Sequence, residues 1–281
     1  MTRNSAIQSC YKHHRSKLSF ELRNNFKTNF NDSTSNHIIS VILFLYNQYA
    51  IFPLGDSAAT IELGNNMDVD SNKKILAMKK WFEQKNYPGI RDTIVAYNSL
   101  TLYYEPVIIK EKSNRGKAFD HIHTILEEAY EQSVADDDAG ILHHVPVCYS
   151  EEFGFDLAEV GRLTKLSVEK IIELHTLPVY RVYMLGFLPG FAYMGQLDAA
   201  LRLQRKKSPV AVTAGSVGIV ANQTGIYPLK SPGGWYIIGR TPINLFDPKS
   251  NFPVKFKPGD HVKFQQVTPE QFEELRLMFK L

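Results

Sequence analysis

The feature that most limits how this chain folds is a run of short apolar segments, broken by glycine and proline, between Tyr183 and Asp247. It reads Gly186-Phe-Leu-Pro-Gly-Phe, Ala214-Gly-Ser-Val-Gly-Ile, Gln223-Thr-Gly-Ile-Tyr-Pro, Ser231-Pro-Gly-Gly-Trp and Gly239-Arg-Thr-Pro. Nine of the chain's 17 glycines lie between Gly186 and Gly239. Glycine is required where the backbone takes positive φ or passes close to another group. Its density within apolar segments therefore points to a closed, turn-rich β structure rather than a linker, and evenly spaced turn signals between short strands predict a barrel. The same block offers backbone N–H groups and a few polar tips, Gln223, Thr224 and Arg240, that can converge on a small molecule.

Upstream the pattern changes. Ala50 to Leu63 is rich in β-branched and aromatic residues, and Asn72 to Asn86 places Ile75, Met78 and Phe82 on one helical face until Tyr87-Pro-Gly stops it. Ile94 to Ile109 reads as two strands, with Leu100, Leu102 and Tyr104 alternating against Thr101 and Tyr103. A helix near Lys117 to Gln132 lines up Phe119, Ile122, Ile125, Leu126 and Ala129, and a strand follows from His144 to Tyr149. The order β-α-β-β-α-β is that of a ferredoxin-like unit. Two short helices come next, Asp156 to Arg162 and one capped by Ser167 in which Val168, Ile171, Ile172 and His175 share a face. The chain closes on a helix that opens with the capping box Thr268-Pro-Glu-Gln. The expected class is α+β, with a small ferredoxin-like domain over residues 48–149 and a β-barrel domain over 150–281.

Composition excludes some functions. A net charge of +3 with scattered lysines and arginines requires neither nucleic acid nor an anionic membrane. The longest apolar run, Ile38 to Tyr46, is shorter than the ~20 residues of a membrane span. Cys10 and Cys148 show no CxxC spacing and fit a reducing cytoplasm. His13-His14, His143-His144 and His121-x-His123 lack accompanying ligands, so no metal site is expected. Residues 1–37 hold six Lys/Arg against two acidic residues without sustained periodicity, and read as disordered or as a spurious extension.

The block beginning at His175-Thr-Leu-Pro-Val-Tyr, with Met184-Leu-Gly-Phe-Leu-Pro-Gly-Phe-Ala-Tyr-Met-Gly, Gln223-Thr-Gly-Ile-Tyr-Pro-Leu and Ser231-Pro-Gly-Gly-Trp-Tyr-Ile-Ile-Gly-Arg-Thr-Pro, resembles the B-subunit family of 5-oxoprolinases. Pro53-Leu-Gly-Asp-Ser-Ala, Pro88-Gly-Ile-Arg-Asp-Thr, Ala96-Tyr-Asn-Ser-Leu-Thr-Leu-Tyr-Tyr and Phe256-Lys-Pro-Gly-Asp-His-Val-Lys-Phe extend the resemblance over residues 48–279. That family also holds a sporulation-kinase inhibitor and the allophanate hydrolase subunit 1 type domain of urea amidolyases. The resemblance implies a cyclophilin-like barrel, and C and A subunits as partners. It also implies an ATP-dependent opening of 5-oxoproline to glutamate, with Mg2+ accompanying the nucleotide at a site that a partner can share. Its alternatives are a regulatory module that holds a histidine kinase and an amidase component acting on allophanate. One departure stands out. The family carries two Pro-Arg pairs before the Ala-Gly-Ser-Val-Gly segment. Here Leu203-Gln-Arg-Lys-Lys-Ser-Pro-Val is one residue shorter and lacks the second pair. Arg205 stands for the first arginine, and Lys206 and Lys207 are the nearest substitutes for the second.

A five-membered lactam is an unstrained amide whose hydrolysis needs donors for a developing oxyanion and one group to move a proton. The backbone N–H groups of Gly186, Gly190, Gly233 and Gly234 are candidate donors. Arg240 and Arg205 are candidate carboxylate or phosphate clamps. Gln223 and Thr224 are candidate partners of the substrate amide, and His175 is the candidate proton carrier. Each has a structural alternative: His175 in the core, Arg240 paired with Asp247, the glycines serving turns, and Tyr193 and Trp235 as core or rim aromatics. No G-x-x-x-x-G-K-[ST] pattern occurs, so ATP is not expected on a P-loop.

Overall fold

The alternation of Leu100, Leu102 and Tyr104 is realised: all three are buried on one face of a strand in the first of two units. The computed structural model describes residues 49–64, 67–112, 116–135 and 140–279. The stretch 1–37, the apolar run Ile38 to Tyr46 and residues 136–139 of the acidic loop lie outside the described residues. Of the described residues, one unit comprises those up to Met67 with those of 82–94 and 98–132; the other comprises 68–81, 95–97 and those from Ser133 onward. Among the described residues no helix is long and apolar enough to cross a membrane.

The first unit is built on β1 (Ala50–Pro53), β2 (Ala58–Glu62), β3 (Ile90–Val95) and β4 (Ser99–Tyr104), in sheet order β1-β2-β4-β3. The segment expected as one element from Ala50 to Leu63 is a hairpin, β1 antiparallel to β2, turned through Gly55. Helix α1 (Val69–Lys85) follows β2, and Pro106 starts helix α2 (Pro106–Lys112), where the sequence pattern suggests strand as far as Ile109. Proline suits a first helical turn, where its missing N–H leaves nothing unpaired. Helix α3 (Ala118–Gln132) buries Ile122, Ile125, Leu126 and Ala129 and packs on β1 and β2.

The sixth element of the ferredoxin-like order departs from expectation. Strand β5 (Leu142–Cys148) is not in this sheet. The place beside β2 is filled from the N-terminal side by β1, and β5 belongs to the barrel. There it runs parallel to β13 (His261–Val267) along its whole length and meets β12 (Tyr236–Arg240) at Cys148.

The barrel closes in the order β10-β7-β6-β13-β5-β12-β9. Its remaining strands are β6 (Tyr180–Leu185), β7 (Ala192–Gly195), β9 (Ser216–Val220) and β10 (Gln223–Ile226). Strands β8 (Val210–Val212) and β11 (Ser231–Gly233) pair separately. Inward residues alternate along each barrel strand, and Val145, Val147, Val182, Met194, Val217, Ile219, Ile226, Ile238, Val262 and Phe264 form the interior. Helices α4 (Leu157–Thr164) and α5 (Val168–Thr176) add Leu157, Val160, Ile171 and Ile172 to that core. Ser167 caps α5 by accepting from the Lys170 N–H, and α6 (Pro269–Met278) opens with the full capping box at Thr268. A second cluster of Phe191, Val212, Tyr227, Trp235 and Ile237 lies on the opposite, outer face of the same strands.

Candidate active site

Gln223 and Thr224 are neighbours in sequence and face opposite ways, because successive side chains on a strand alternate. Thr224 points into the barrel and is fully buried, as is His175 of α5. The Thr224 hydroxyl donates to the Gly218 carbonyl at 3.1 Å, so it accepts from His175 Nε2 at 2.9 Å. His175 Nδ1 is then the acceptor of the Tyr149 hydroxyl at 2.8 Å. The ring stacks on Phe264 at 4.5 Å. Burial drops the His175 pKa to about 3 and pushes Tyr149 well above the ordinary phenol value. The imidazole is neutral, carries its proton on Nε2 and has both nitrogens engaged. This arrangement fixes α5 against β10; it offers a substrate neither a proton nor a free lone pair.

The outer face is different. Gly225 stands opposite Gly218 of β9 and Tyr193 of β7, and Gln223 stands opposite Gly195. Around these glycines pack Phe191, Tyr193, Tyr227 and Trp235, with Phe191 to Tyr193 at 4.7 Å and Tyr193 to Trp235 at 5.8 Å. A Cβ on Gly225 would lie 3.0 Å from both the Phe191 and Trp235 rings, so the aromatic layer requires glycine beneath it. Tyr97 joins this face, its ring 6.1 Å from Tyr193 and its hydroxyl in hydrogen-bonding contact with Gln223. Burial raises the Tyr97 phenol, the nearby Tyr193 adds to the rise, and Gln223 opposes it. The Tyr97 backbone is held by Asn72, whose Nδ2 donates to its carbonyl at 2.8 Å and to that of Tyr183 at 3.1 Å. Asn72 Oδ1 in turn accepts from the buried Arg181 Nε at 3.0 Å.

Arg205 is exposed, lies against Gly234 and forms no ion pair among the described residues. A Cβ on Gly234 would sit 2.5 Å from Arg205 Nε. The guanidinium is close enough to Tyr193 and Tyr227 to hold their phenols below where burial alone would set them. Gly233 answers a different constraint, since a Cβ there would lie 2.6 Å from the Tyr227 hydroxyl, which is hydrogen-bonded to the Trp235 backbone. Lys206, the candidate substitute for a missing arginine, is committed elsewhere. Its Nζ donates to Asp156 Oδ2 at 2.5 Å, and that oxygen also accepts from the Ile237 N–H at 2.7 Å. Asp156 therefore ties the start of α4 to β12 and does not cap its own helix. Lys207 is exposed.

Three amides of the Gly186-to-Phe191 turn are spent within it. Gly186 N donates to Phe191 O, Leu188 N to Gly186 O and Phe191 N to Leu188 O. Gly190 is there for its positive φ of 82° and for a close pass by the Leu245 carbonyl. The turn raises Phe187, also at positive φ, as an exposed ring edge-on to Phe191 and Tyr227.

Arg240 stands apart. It pairs with Ser216 at one end of β9, whereas Gln223 pairs with Val220 at the other. Four residues of strand separate these levels, roughly 13 Å. Arg240 Nε donates to the Ala214 carbonyl at 2.9 Å and the guanidinium lies 5.9 Å from the Phe153 ring; it makes no ion pair with Asp247. The fold thus brings together Gln223, Arg205, Gly233, Gly234 and the Gly186 to Gly190 turn on one face, puts Thr224 and His175 inside, and places Arg240 at the far level of β9. Tyr97 and Asn72 adjoin this face although the sequence alone does not mark them for it, and Tyr193, read there as a core or rim aromatic, lies on it. Period-two alternation in β10 is enough to part Gln223 from Thr224, whereas nothing local announces Tyr97.

Among the described residues no group of three or more His, Cys, Asp or Glu side chains is placed to hold a metal ion. Residues 49–256 match the family described as the carboxyltransferase domain, subdomain C and D. The 5-oxoprolinase B subunit of Bacillus subtilis (strain 168) is 38% identical over 229 residues, 80% of this chain and 95% of that protein. The crystal structure of TTHA0988 is 33% identical with a TM-score of 0.64 and is matched by 75% of this chain, which covers 40% of it. The crystal structure of the K. lactis urea amidolyase, 17% identical with a TM-score of 0.65, shares the fold with 82% of this chain, which covers 15% of it.

Proposed function

The chain belongs to the carboxyltransferase domain, subdomain C and D, family, and from that membership we infer that it is the B subunit of a 5-oxoprolinase, opening 5-oxo-L-proline to L-glutamate with the A and C subunits. The observation that carries this reading is the near end-to-end match to three B-subunit chains of such enzymes. The names of those relatives favour it over histidine-kinase inhibition and over allophanate chemistry. The cyclophilin-like assignment of the barrel draws support from its closed seven strands. Similar domains sit within much longer chains in TTHA0988 and the urea amidolyase, which supports work in an assembly and little activity alone. The cytoplasm is the natural setting for an ATP-driven reaction.

ATP supplies the free energy for an otherwise uphill ring opening. Of the groups a triphosphate could use, three amides of the glycine turn are spent within it and Lys206 is bound to Asp156. No nucleotide step is assigned to this chain, and we take ATP with its Mg2+ to bind within the assembly, at a site that a partner subunit shares. What this chain contributes is the outer face of β7, β10 and β9. Arg205 meets the substrate carboxylate and Gln223 meets the lactam amide. His175 acts behind this face as a positioning residue, through Thr224, and Arg240 has no contact with it. The test is ATP-dependent release of glutamate from 5-oxo-L-proline, by the chain alone and mixed with its cognate A and C subunits. Release from the mixture alone is the expected result. A mixture proven to assemble that releases no glutamate overturns the reading.

A further inference from the structure

On the outer face Gln223 stands opposite Gly195, and Tyr193 stands opposite Gly225. Gln223 and Tyr193 are therefore diagonal neighbours across an antiparallel pair, roughly 7–8 Å apart. The position facing each of them is a glycine; Phe191 and Trp235 cover Gly225, while Gln223 and Tyr193 both stay partly exposed. Tyr97 lies edge-on to Tyr193, at 76° between the rings. Apart from the Gln223 contact, neither phenol makes a hydrogen bond among the described residues, and both rings are only partly buried. A phenol can donate once, and a carboxamide offers both a donor and an acceptor. This partly exposed surface therefore holds unspent O–H donors beside an amide, next to aromatic rings.

We propose that Tyr97 and Tyr193, together with Gln223, recognise the lactam group itself. The cis-amide of a five-membered lactam presents N–H and C=O side by side. Gln223 complements both, accepting from the ring N–H and donating to the carbonyl oxygen. The second lone pair of that oxygen takes a phenol O–H. Both phenols are held protonated by burial, so they serve as donors throughout the neutral range. Arg205 at the rim then takes the carboxylate and sets which way round the ring lies. This selects against cyclic imino acids that lack the carbonyl, because they would leave the donors without an acceptor.

The inference rests on the 5-oxoprolinase reading, and the experiment separates the two. In the assembled enzyme, Tyr97→Phe and Tyr193→Phe keep the rings and remove only the hydroxyls. Each is expected to raise KM for 5-oxo-L-proline about tenfold with kcat little changed. A measurement that needs no variant uses the fluorescence of the full chain, in which Trp235, one of two tryptophans, lies against Tyr193. 5-Oxo-L-proline is expected to change it, 2-pyrrolidinone to do so more weakly, and L-proline not at all. If both Phe variants match wild type within twofold in KM and kcat, the phenol assignment is overturned while the 5-oxoprolinase reading stands. The same holds if L-proline binds as well as 5-oxo-L-proline. Loss of thermal stability with KM unchanged would reduce the tyrosines to packing and overturn it too. A wild-type mixture that assembles and does not turn over 5-oxo-L-proline removes both.

Discussion

Two faces of one strand do opposite work. Inside the barrel, Thr224 belongs to a closed chain of hydrogen bonds running from Tyr149 through His175 to Gly218, with every donor and acceptor engaged. Outside, one residue away, Gln223 shares a partly exposed surface with Tyr97, Tyr193 and Arg205, whose donors are largely unspent. A buried polar network contributes stability only when complete, because each orphaned group costs about 1–3 kcal/mol. A binding surface needs the reverse, groups held rigidly and left wanting a partner. The strand β10 supplies both because its side chains alternate.

The largest way to break this comparison is to open the inner chain. His175→Ala removes a packed ring, orphans the Tyr149 hydroxyl and leaves Thr224 only its bond to Gly218, and by the usual cost of large-to-small core changes it should destabilise by about 3–5 kcal/mol. Denaturant titration measures that, and the surviving folded fraction should keep its KM within a few-fold. A KM that collapses in a fully folded variant would mean that the ring does more than hold β10. Acid offers a gentler opening. The folded pKa of His175 is depressed to about 3 from 6.5, so between those values the unfolded chain binds a proton that the folded chain does not. The contribution is complete above pH 6.5, shrinks as pH falls and is fully lost near pH 3. Stability at pH 5 should be lower than at pH 7 by about 2 kcal/mol from this residue. His175→Gln, which cannot titrate, should flatten that limb of a stability-against-pH curve.

The barrel was legible because its signals are local. Glycine and proline mark the turns, and apolar alternation marks the strands between them. Helix α3 and strand β4 were legible for the same reason, each carrying its period in consecutive residues. The destination of β5 was not, since its parallel partner β13 arrives only after the whole barrel crossover, and no pattern within Leu142–Cys148 names it. The site divides likewise. Gln223, Arg205 and the Gly233-Gly234 pair came from the punctuated block and do share a face. Tyr97 reaches Gln223 through tertiary structure alone. Gln223 and Thr224, both expected against one amide, are parted by the alternation that the strand itself imposes.

A smaller effect sharpens the outer half. Gly234→Ala places a methyl where Arg205 Nε now lies, and only that flexible side chain has to move. Stability should change by less than about 1 kcal/mol, the range of ordinary surface changes, while the carboxylate clamp shifts. KM for 5-oxo-L-proline should rise about fivefold, and that for a carboxylate-free lactam should not. An equal rise for both would place Arg205 outside the site.

The smallest effect belongs to Arg240, and it tests the geometry rather than the chemistry. Its level on β9 is that of Ser216, roughly 13 Å of strand away from the level of Gln223. It gives one hydrogen bond to the Ala214 carbonyl and lies over Phe153. Losing these in Arg240→Ala should cost about 1 kcal/mol or less of stability, the net worth of one exposed hydrogen bond with a weak ring contact. KM and kcat of the assembled enzyme should stay within twofold. An arginine is a natural anion clamp, so a tenfold loss of turnover without loss of folding would move the reacting end of the substrate to the far rim of β9. Gln223, Tyr97 and Tyr193 would then describe a surface for something other than the lactam.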